Sequence, residues 1–370
     1  MKIIQIASGD LWAGAEVQLY HLASKLTLVE NLELLVILLN EGQLANELRE
    51  NNINLLVLDE SKLSSWLIFR EIYRQARIFK PDLIHTHRFK ENILGGIVAR
   101  LCGSKSVRTM HGASEIARSI FDYRRLLING LDQFTGRWLQ HQVIAVSEEL
   151  KQKLLAQYPE SHLSIIENSI DIDHIENNAE KIVDFQVDKQ QFNICFVGRF
   201  VPVKRTDLFI DIAKTTLKNN PNAKIHFYLF GDGPLLAERQ QQIKDAGLQE
   251  SITLVGFVNN IAPYLKQMDM LIFTSDHEGL PMTLLEAMAL RVAIMSRELI
   301  TIKQVLNNGD SGFFIDSERP EDFANKIAVI LENKSLAKEN ADQARHILQN
   351  KYSINSNISH YTQLYERLIF

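Results

Sequence analysis

Cysteine is scarce in this sequence: Cys102 and Cys195 are its only two, far apart and each inside an apolar run. Two isolated thiols exclude a disulfide scaffold and a cysteine-built metal cluster, and they fit a reducing compartment. Long hydrophobic runs are missing as well. The longest, such as "LLVILL" at 34–39, fall far short of the length needed to span a bilayer. No secretory cleavage pattern follows the opening "MKIIQIASGD", which reads as a first strand. There is no excess of positive charge. A formal net charge of -5 removes any global electrostatic reason to expect nucleic acid. Repeats of fixed period and low-complexity tracts are absent too. What remains is the expectation of a cytoplasmic globular protein, with peripheral attachment at the inner face of the membrane left open.

The sequence does contain enough apolar material for a core. Hydrophobic residues make up 46% and charged residues 23%, as in ordinary folded proteins. At 370 residues the chain exceeds the size at which one core keeps growing, so two domains are expected. Short apolar runs alternate with longer amphipathic stretches, the signature of β-α-β units and parallel sheets. In the first half, strands are expected at 3–7, 34–38, 54–58, 83–86, 106–110 and 143–146. Between them lie helical patterns such as "AEVQLYHLASKL" and "WLIFREIYRQARIF". A second series starts near Phe192 with "NICFVG", "KIHFYLFG", "ITLVG", "MLIFTS", "VAIMS" and "GFFID". The polar stretch 172–191 separates the two series and reads as a hinge. The tail after about Glu332 reads as helix to the end. The predicted fold class is α/β, with two Rossmann-like, doubly wound domains that face each other across a cleft at the carboxyl ends of their strands. The expected domains are 1–175 and 176–350, with 351–370 a helix packing back towards the first.

Charged residues gather at the strand ends of the second series. In "FVGRFVPVKRTDLFI", Gly198 allows a tight exit, Arg199 sits at the strand end and Lys204 stands where the next helix begins. Two fixed cations there suit a diphosphate, arginine as a fork and lysine as a point charge, although a solvated helix start would carry the same charges. "FGDGP" at 230–234 reads as a second strand-end turn, with Pro234 placed to open a helix. In "LVGFVNN", backbone groups of Gly256 and Phe257 are candidates to pair with a base. "SDHEGLPMTLLEAMAL" combines a loop with a helix start in which Pro281 suits the first turn. Free amides from Gly279 through Leu280 to Met282 would then form an anion site at the positive end of the helix. Glu278 lies in the loop and Glu286 in the helix. A carboxylate accepts bonds from two neighbouring hydroxyls, so both suit sugar diols, whereas the plain alternative is a surface glutamate and an acidic helix start.

Taken in order, Gly198-Arg199 with Lys204, "GDGP", "VGF" and the Glu278/Glu286 pair resemble the family 4 retaining glycosyltransferases (glycosyl transferases group 1). The first half is similar too, in "LWAGAEVQLYHLASKL", "PDLIHTHRFKENILGGIVARL", "TMHG", "VIAVSEEL" and "IENSID". The resemblance covers nearly the whole chain. It implies the GT-B fold and sugar transfer from a nucleotide diphosphate sugar. By that resemblance Arg199 and Lys204 bind the diphosphate and stabilise the leaving group. Glu286 holds the ribose hydroxyls, Glu278 the donor sugar and Gly14 the approach of backbone to phosphate, while His111 reaches the sugar near the reacting carbon. No metal or other cofactor is implied, the nucleotide sugar being a co-substrate. The chain departs from the family after the helix, where glycines are usual and "ALRVAIMSRELITIKQVL" puts Leu290, Arg291 and 299–301 instead. Bulk there could reshape the donor pocket or mark a weakened enzyme.

Other constellations favour plainer roles. Asp171 and Asp173 in "DID" read as a turn or helix start. His85 and His87 share one face of a strand end and are expected in an acceptor cleft rather than on a metal. His277-Glu278 lacks the second histidine of a zinc helix. Between Arg100 and Arg137, the cations Lys105, Arg108, Arg118, Arg124 and Arg125 interleave with Phe121 and Tyr123. This forms either a solvated helix face or a basic surface for anionic lipid or an acidic lipid-linked acceptor. The sequence thus reads as a retaining, metal-independent glycosyltransferase. It would use a UDP-sugar to extend a cell-envelope glycan or lipid-linked saccharide. The alternatives are an epimerase or hydrolase acting on the same donor, and a non-catalytic partner subunit.

Overall fold

Apolar runs covered on both faces by amphipathic helices build two separate parallel sheets. The structure, a computed structural model, describes residues 1–10, 14–111, 123–309 and 311–370. It divides into two units, Met1–Ser169 with Ile354–Phe370, and Ile170–Ser353.

The first unit holds β1 (Lys2–Ala7), β2 (Glu33–Leu38), β3 (Leu55–Val57), β4 (Leu83–His87), β5 (Lys105–Met110), β6 (Gln142–Ala145) and β7 (Leu163–Ile165). They pair in the order β3-β2-β1-β4-β5-β6-β7, all parallel. The order runs outward in both directions from the β1/β4 pair, which makes that pair the switch point of the sheet. Strand β7 was not foreseen: "LSI" is three residues at a sheet edge, too short to show a periodicity. The last helix, Ile354–Ile369, buries Tyr361, Leu364 and Tyr365 in a core with Ile3, Leu22, Val36 and Leu83 of this unit.

Arg108 corrects the reading of a basic surface. It lies on β5, is 0% exposed, and its guanidinium donates to Asp132 Oδ1 at 2.8 Å, the Asp132 carbonyl at 3.0 Å and Thr135 Oγ1 at 2.9 Å, with Gln140 as a further acceptor. A buried arginine is tolerable only when paired and hydrogen-bonded in this way. Arg118 and Phe121 lie outside the described residues, as do the side chains of Tyr123, Arg124 and Arg125.

The second unit holds β8 (Phe192–Val197), β9 (Ile225–Phe230), β10 (Ile252–Gly256), β11 (Met270–Phe273), β12 (Ala293–Arg297) and β13 (Phe313–Ile315). Their order is β10-β9-β8-β11-β12-β13, again all parallel, so β8 and β11 flank the switch point. Its core gathers Phe196, Phe200, Phe209, Phe227 and Phe323 beneath the strand ends. The stretch read as a hinge contains a helix, Ile172–Ala179, started by Asp171, whose Oδ1 accepts from His174 N at 3.3 Å. The tail is not one helix. Ser335–Ile347 runs into a π-turn, Leu348–Tyr352, and extended Ser353 precedes the final helix. Among the described residues no helix is long and apolar enough to cross a membrane.

Candidate active site

Loops that leave the carboxyl edges of two strands at a switch point have no neighbouring crossover above them, so an open crevice forms there. In the second unit these loops follow β8 and β11, and they carry the charged residues singled out in the sequence.

Glycines fix the first loop. Gly198 N donates to the Phe230 carbonyl at 3.0 Å. Gly231 has φ +133, and a Cβ there would meet the Gly198 carbonyl oxygen at 2.0 Å; at Gly233 it would meet Phe200 N at 2.7 Å. "GDGP" is therefore the brace that lies against the Gly198–Phe200 backbone, an approach open only to residues without a side chain. Phe200 N donates to the Asp232 carbonyl at 2.8 Å and completes it. Thus held, Arg199 is exposed and has no ion-pair partner among the described residues.

Lys204 ends a short turn, Pro202–Lys204, and its Nζ lies 2.6 and 2.7 Å from the two carboxylate oxygens of Glu278. Ser275 Oγ donates to the same carboxylate at 2.6 Å, and Glu278 is 8% exposed. The two loops are stitched together below this pair: Thr274 Oγ1 donates to the Lys204 carbonyl at 2.9 Å, and Asp276 N to the Val203 carbonyl at 2.8 Å. Outside it stands a ring of charge. Arg205 Nη1 reaches Asp276 at 3.3 Å and Glu318 at 3.1 Å, while Arg297 reaches Asp276 at 2.6 Å, the Ser275 carbonyl at 3.3 Å and Glu318. Sequence reading missed this ring and Ser275. The available signal was a cation at two further strand ends, after β8 and at the end of β12.

Helix Met282–Ala289 begins one residue later than expected, with Pro281 as its extended N-cap (φ -72, ψ 133) instead of in the first turn. Gly279 is half-buried and Leu280 buried before it. Glu286 is 9% exposed and has no hydrogen-bond partner for its carboxyl group among the described residues. Burial pushes that carboxyl up to about 7. Gly256 sits at φ +86, its carbonyl already accepting from Gly231 N at 2.8 Å, and Phe257 beyond it is exposed. In the atypical segment Arg291 holds φ +55 and pairs with Asp342 at 3.1 Å. Buried Thr301 donates to the Glu278 carbonyl at 3.4 Å, so this bulkier residue ties down the backbone of Glu278.

In the first unit, Gly14 opens the helix Gly14–Leu26, and 11–13 before it lie outside the described residues. His111 follows β5, half-buried, with Nε2 at 3.1 Å from His87 Nδ1. Burial, with the Arg88 charge adding to it, pushes His111 down to about 4, and burial holds His87 well below its usual value. His111 is thus a neutral ring able to hydrogen-bond, not a cation. His85 does not face an acceptor cleft. It is fully buried between Tyr365 of the last helix, at 2.7 Å from Nδ1, and Thr109 Oγ1, at 2.8 Å from Nε2. Burial takes it down to about 3. Arg88, not singled out in the sequence, follows β4 at φ +74 and pairs with Asp10 at 3.2 Å and Glu16 at 2.5 Å. Among the described residues no group of three or more His, Cys, Asp or Glu is placed to hold a metal ion.

Comparison with known proteins gives the two units their identity. The model for Glycosyltransferase Family 4 matches residues 12–174, and that for Glycosyl transferases group 1 matches 177–347. The chain belongs to this glycosyltransferase family. It is 26% identical over 277 residues to the UDP-Gal:alpha-D-GlcNAc-diphosphoundecaprenol alpha-1,3-galactosyltransferase of Escherichia coli, spanning 72% of this chain and 70% of the relative. A poly(ribitol-phosphate) alpha-N-acetylglucosaminyltransferase of Staphylococcus aureus is 26% identical over 224 residues, 60% of this chain and 43% of that one. Among solved structures, Anabaena HepE in complex with UDP and glucose superposes with a TM-score of 0.82 over all of both chains at 18% identity. The fold of this glycosyltransferase is accordingly GT-B.

Proposed function

We propose that this glycosyltransferase transfers a sugar from a UDP-sugar, with retention and without a metal ion. The acceptor in this reading is a cell-envelope glycan or a lipid-linked saccharide at the cytoplasmic face of a membrane. One observation carries it: a single switch point gathers an arginine with no ion-pair partner among the described residues, a lysine shared with one carboxylate, and a second, buried carboxyl that has no hydrogen-bond partner among the described residues. Each has unfilled capacity for a ligand. Arg199 and Lys204 supply the charge that a departing diphosphate demands, the part a metal plays elsewhere. Glu286 is left to accept from ribose hydroxyls, and Glu278, when Lys204 turns to phosphate, from hydroxyls of the sugar. Gly256 and exposed Phe257 are assigned to the base in this reading. The relatives' names support the donor and acceptor classes.

In the proposed step the bond from the anomeric carbon to the diphosphate oxygen breaks, and the acceptor oxygen bonds to that carbon on the same face. The acceptor proton passes to the departing diphosphate. The developing charge is met by Arg199 and Lys204, and His111 is assigned a neutral hydrogen bond to the sugar. Purified protein with UDP-sugars and undecaprenyl-diphosphate saccharides should release UDP only when donor and acceptor are both present. Release at the same rate without acceptor would make it a hydrolase. No stabilisation by UDP or any nucleotide sugar would overturn the reading.

A further inference from the structure

We propose that His87 is a positioning residue for His111: its Nδ1–H donates to His111 Nε2 and so keeps the His111 proton on Nδ1. The inference rests on the assignment of His111 to the donor sugar and adds the residue that orients it. The two rings stand at the ends of adjacent strands, His87 as the last residue of β4 and His111 just after β5. His87 Nδ1 lies 3.1 Å from His111 Nε2, with the ring planes inclined by 26° and the centroids 5.4 Å apart. His87 is itself held in place. It is buried, and its ring centroid is 4.3 Å from that of His85. His85 in turn is bonded at both nitrogens, to Tyr365 and Thr109, so it cannot turn freely.

A count of protons decides the direction of the bond. Burial keeps both rings neutral, and a neutral imidazole carries one N–H. One of the two protons lies between the rings. The other must then sit on a distal nitrogen, either His87 Nε2 or His111 Nδ1. Both of these are buried and without a hydrogen-bond partner among the described residues. A buried N–H left unpaired is rarer than an unpaired acceptor. On His87, which is 3% exposed, that N–H would stay unpaired, whereas on half-buried His111 a ligand can take it. The proton therefore belongs on His111 Nδ1, and His111 meets a sugar oxygen as a donor. A His111 ring without this partner could carry its proton on either nitrogen and would be free to turn.

The test uses the full chain carrying isotope-labelled histidine. Long-range proton–nitrogen NMR spectra read which nitrogen of His111 is protonated, without any need for turnover, and Nδ1–H is expected. Two variants then separate positioning from packing. His87→Asn puts an amide where Nδ1 stood, and His87→Gln puts one where Nε2 stood. Gln should release the His111 tautomer and lower kcat for UDP release by about 10²-fold, the scale of a misplaced group, with KM for the UDP-sugar little changed. Asn should restore the tautomer and most of the kcat. A side chain that only filled space would rank the other way, because Gln is nearer to histidine in size. A proton on His111 Nε2 in the wild type would overturn the proposal, as would Gln matching or exceeding Asn in tautomer and kcat. Absence of a thermal shift with UDP would instead be a failure of the donor reading, and the wild-type spectrum would still decide the tautomer.

Discussion

Replacing Glu286 by Gln should make the second unit more stable and the enzyme worse. The carboxyl group is buried with no hydrogen-bond partner among the described residues, and its folded-state pKa of about 7 stands above the ordinary 4.5. A raised carboxyl pKa means that the folded state binds the proton more tightly than the unfolded chain. The penalty is absent below 4.5, grows as pH rises and is complete above 7. The difference of about 2.5 units corresponds to about 3 kcal/mol at pH 8. Gln keeps the shape and removes the charge, so Glu286→Gln should raise stability at pH 8 by up to that amount and change little at pH 4.5. Urea unfolding of both proteins at the two pH values reads this directly. A donor that gives hydroxyl hydrogens to the carboxylate favours its ionised form, so UDP binding to wild type near pH 6 should release a proton and tighten as pH rises. In the variant the proton release should vanish, and the thermal shift by UDP should fall. Equal stabilities at pH 8 would refute the claim of a desolvated charge, and an unchanged UDP shift would refute its role in binding.

Other positions give separate tests. Arg199→Ala should cost about 10²-fold in turnover, the scale of removing one preorganised charge, with an unchanged melting temperature because the side chain is exposed and unpaired; wild-type turnover would remove Arg199 from the site. Gly231→Ala would place a methyl group 2.0 Å from the Gly198 carbonyl at a backbone φ of +133. It should lower both stability and UDP affinity, since the loop bearing Arg199 has to move, and retention of both would show that the brace is dispensable. Arg108→Ala should destabilise the first unit by about 3–5 kcal/mol, because it leaves Asp132 buried and unpaired; a chemical-denaturation midpoint near wild type would contradict the burial.

How much of this was legible in the sequence depended on range. The doubly wound pattern shows because each strand is an apolar run bounded by turn residues, a local property. The residues proposed for the donor site could be singled out because strand ends in such sheets are where ligands meet the chain, and Gly198, Arg199, Lys204, Glu278 and Glu286 all follow β8 or β11. What failed was everything decided by a distant partner. His85 and Tyr365 are 280 positions apart, so nothing near "HTH" says that the first histidine is consumed by a hydroxyl group in the last helix. Arg108 resembles its surface neighbours in a charge count, and only Asp132 and Thr135 turning towards β5 make it internal. Strand β7 is too short for a period. The Arg205, Asp276, Arg297 and Glu318 ring joins three loops and the end of β12, which no single motif contains.

That ring bears on how Lys204 can serve both an ion pair and a ligand. In this structure Lys204 and Glu278 neutralise one another, which satisfies two groups that would otherwise be partly buried and unpaired. In the proposed reading a diphosphate offers Lys204 a stronger anionic partner, but taking it strips Glu278 of its cation. The exchange remains affordable only if Glu278 keeps other contacts and finds new donors. Ser275 Oγ supplies one contact, and sugar hydroxyls would supply the rest. The backbone under both residues does not have to move for this: Thr274, Asp276 and Thr301 fix it from below, and Arg297 ties the Ser275 carbonyl to the ring. In that reading the fixed backbone would leave the site electrically satisfied when empty and confine the rearrangement on binding to the Lys204 side chain.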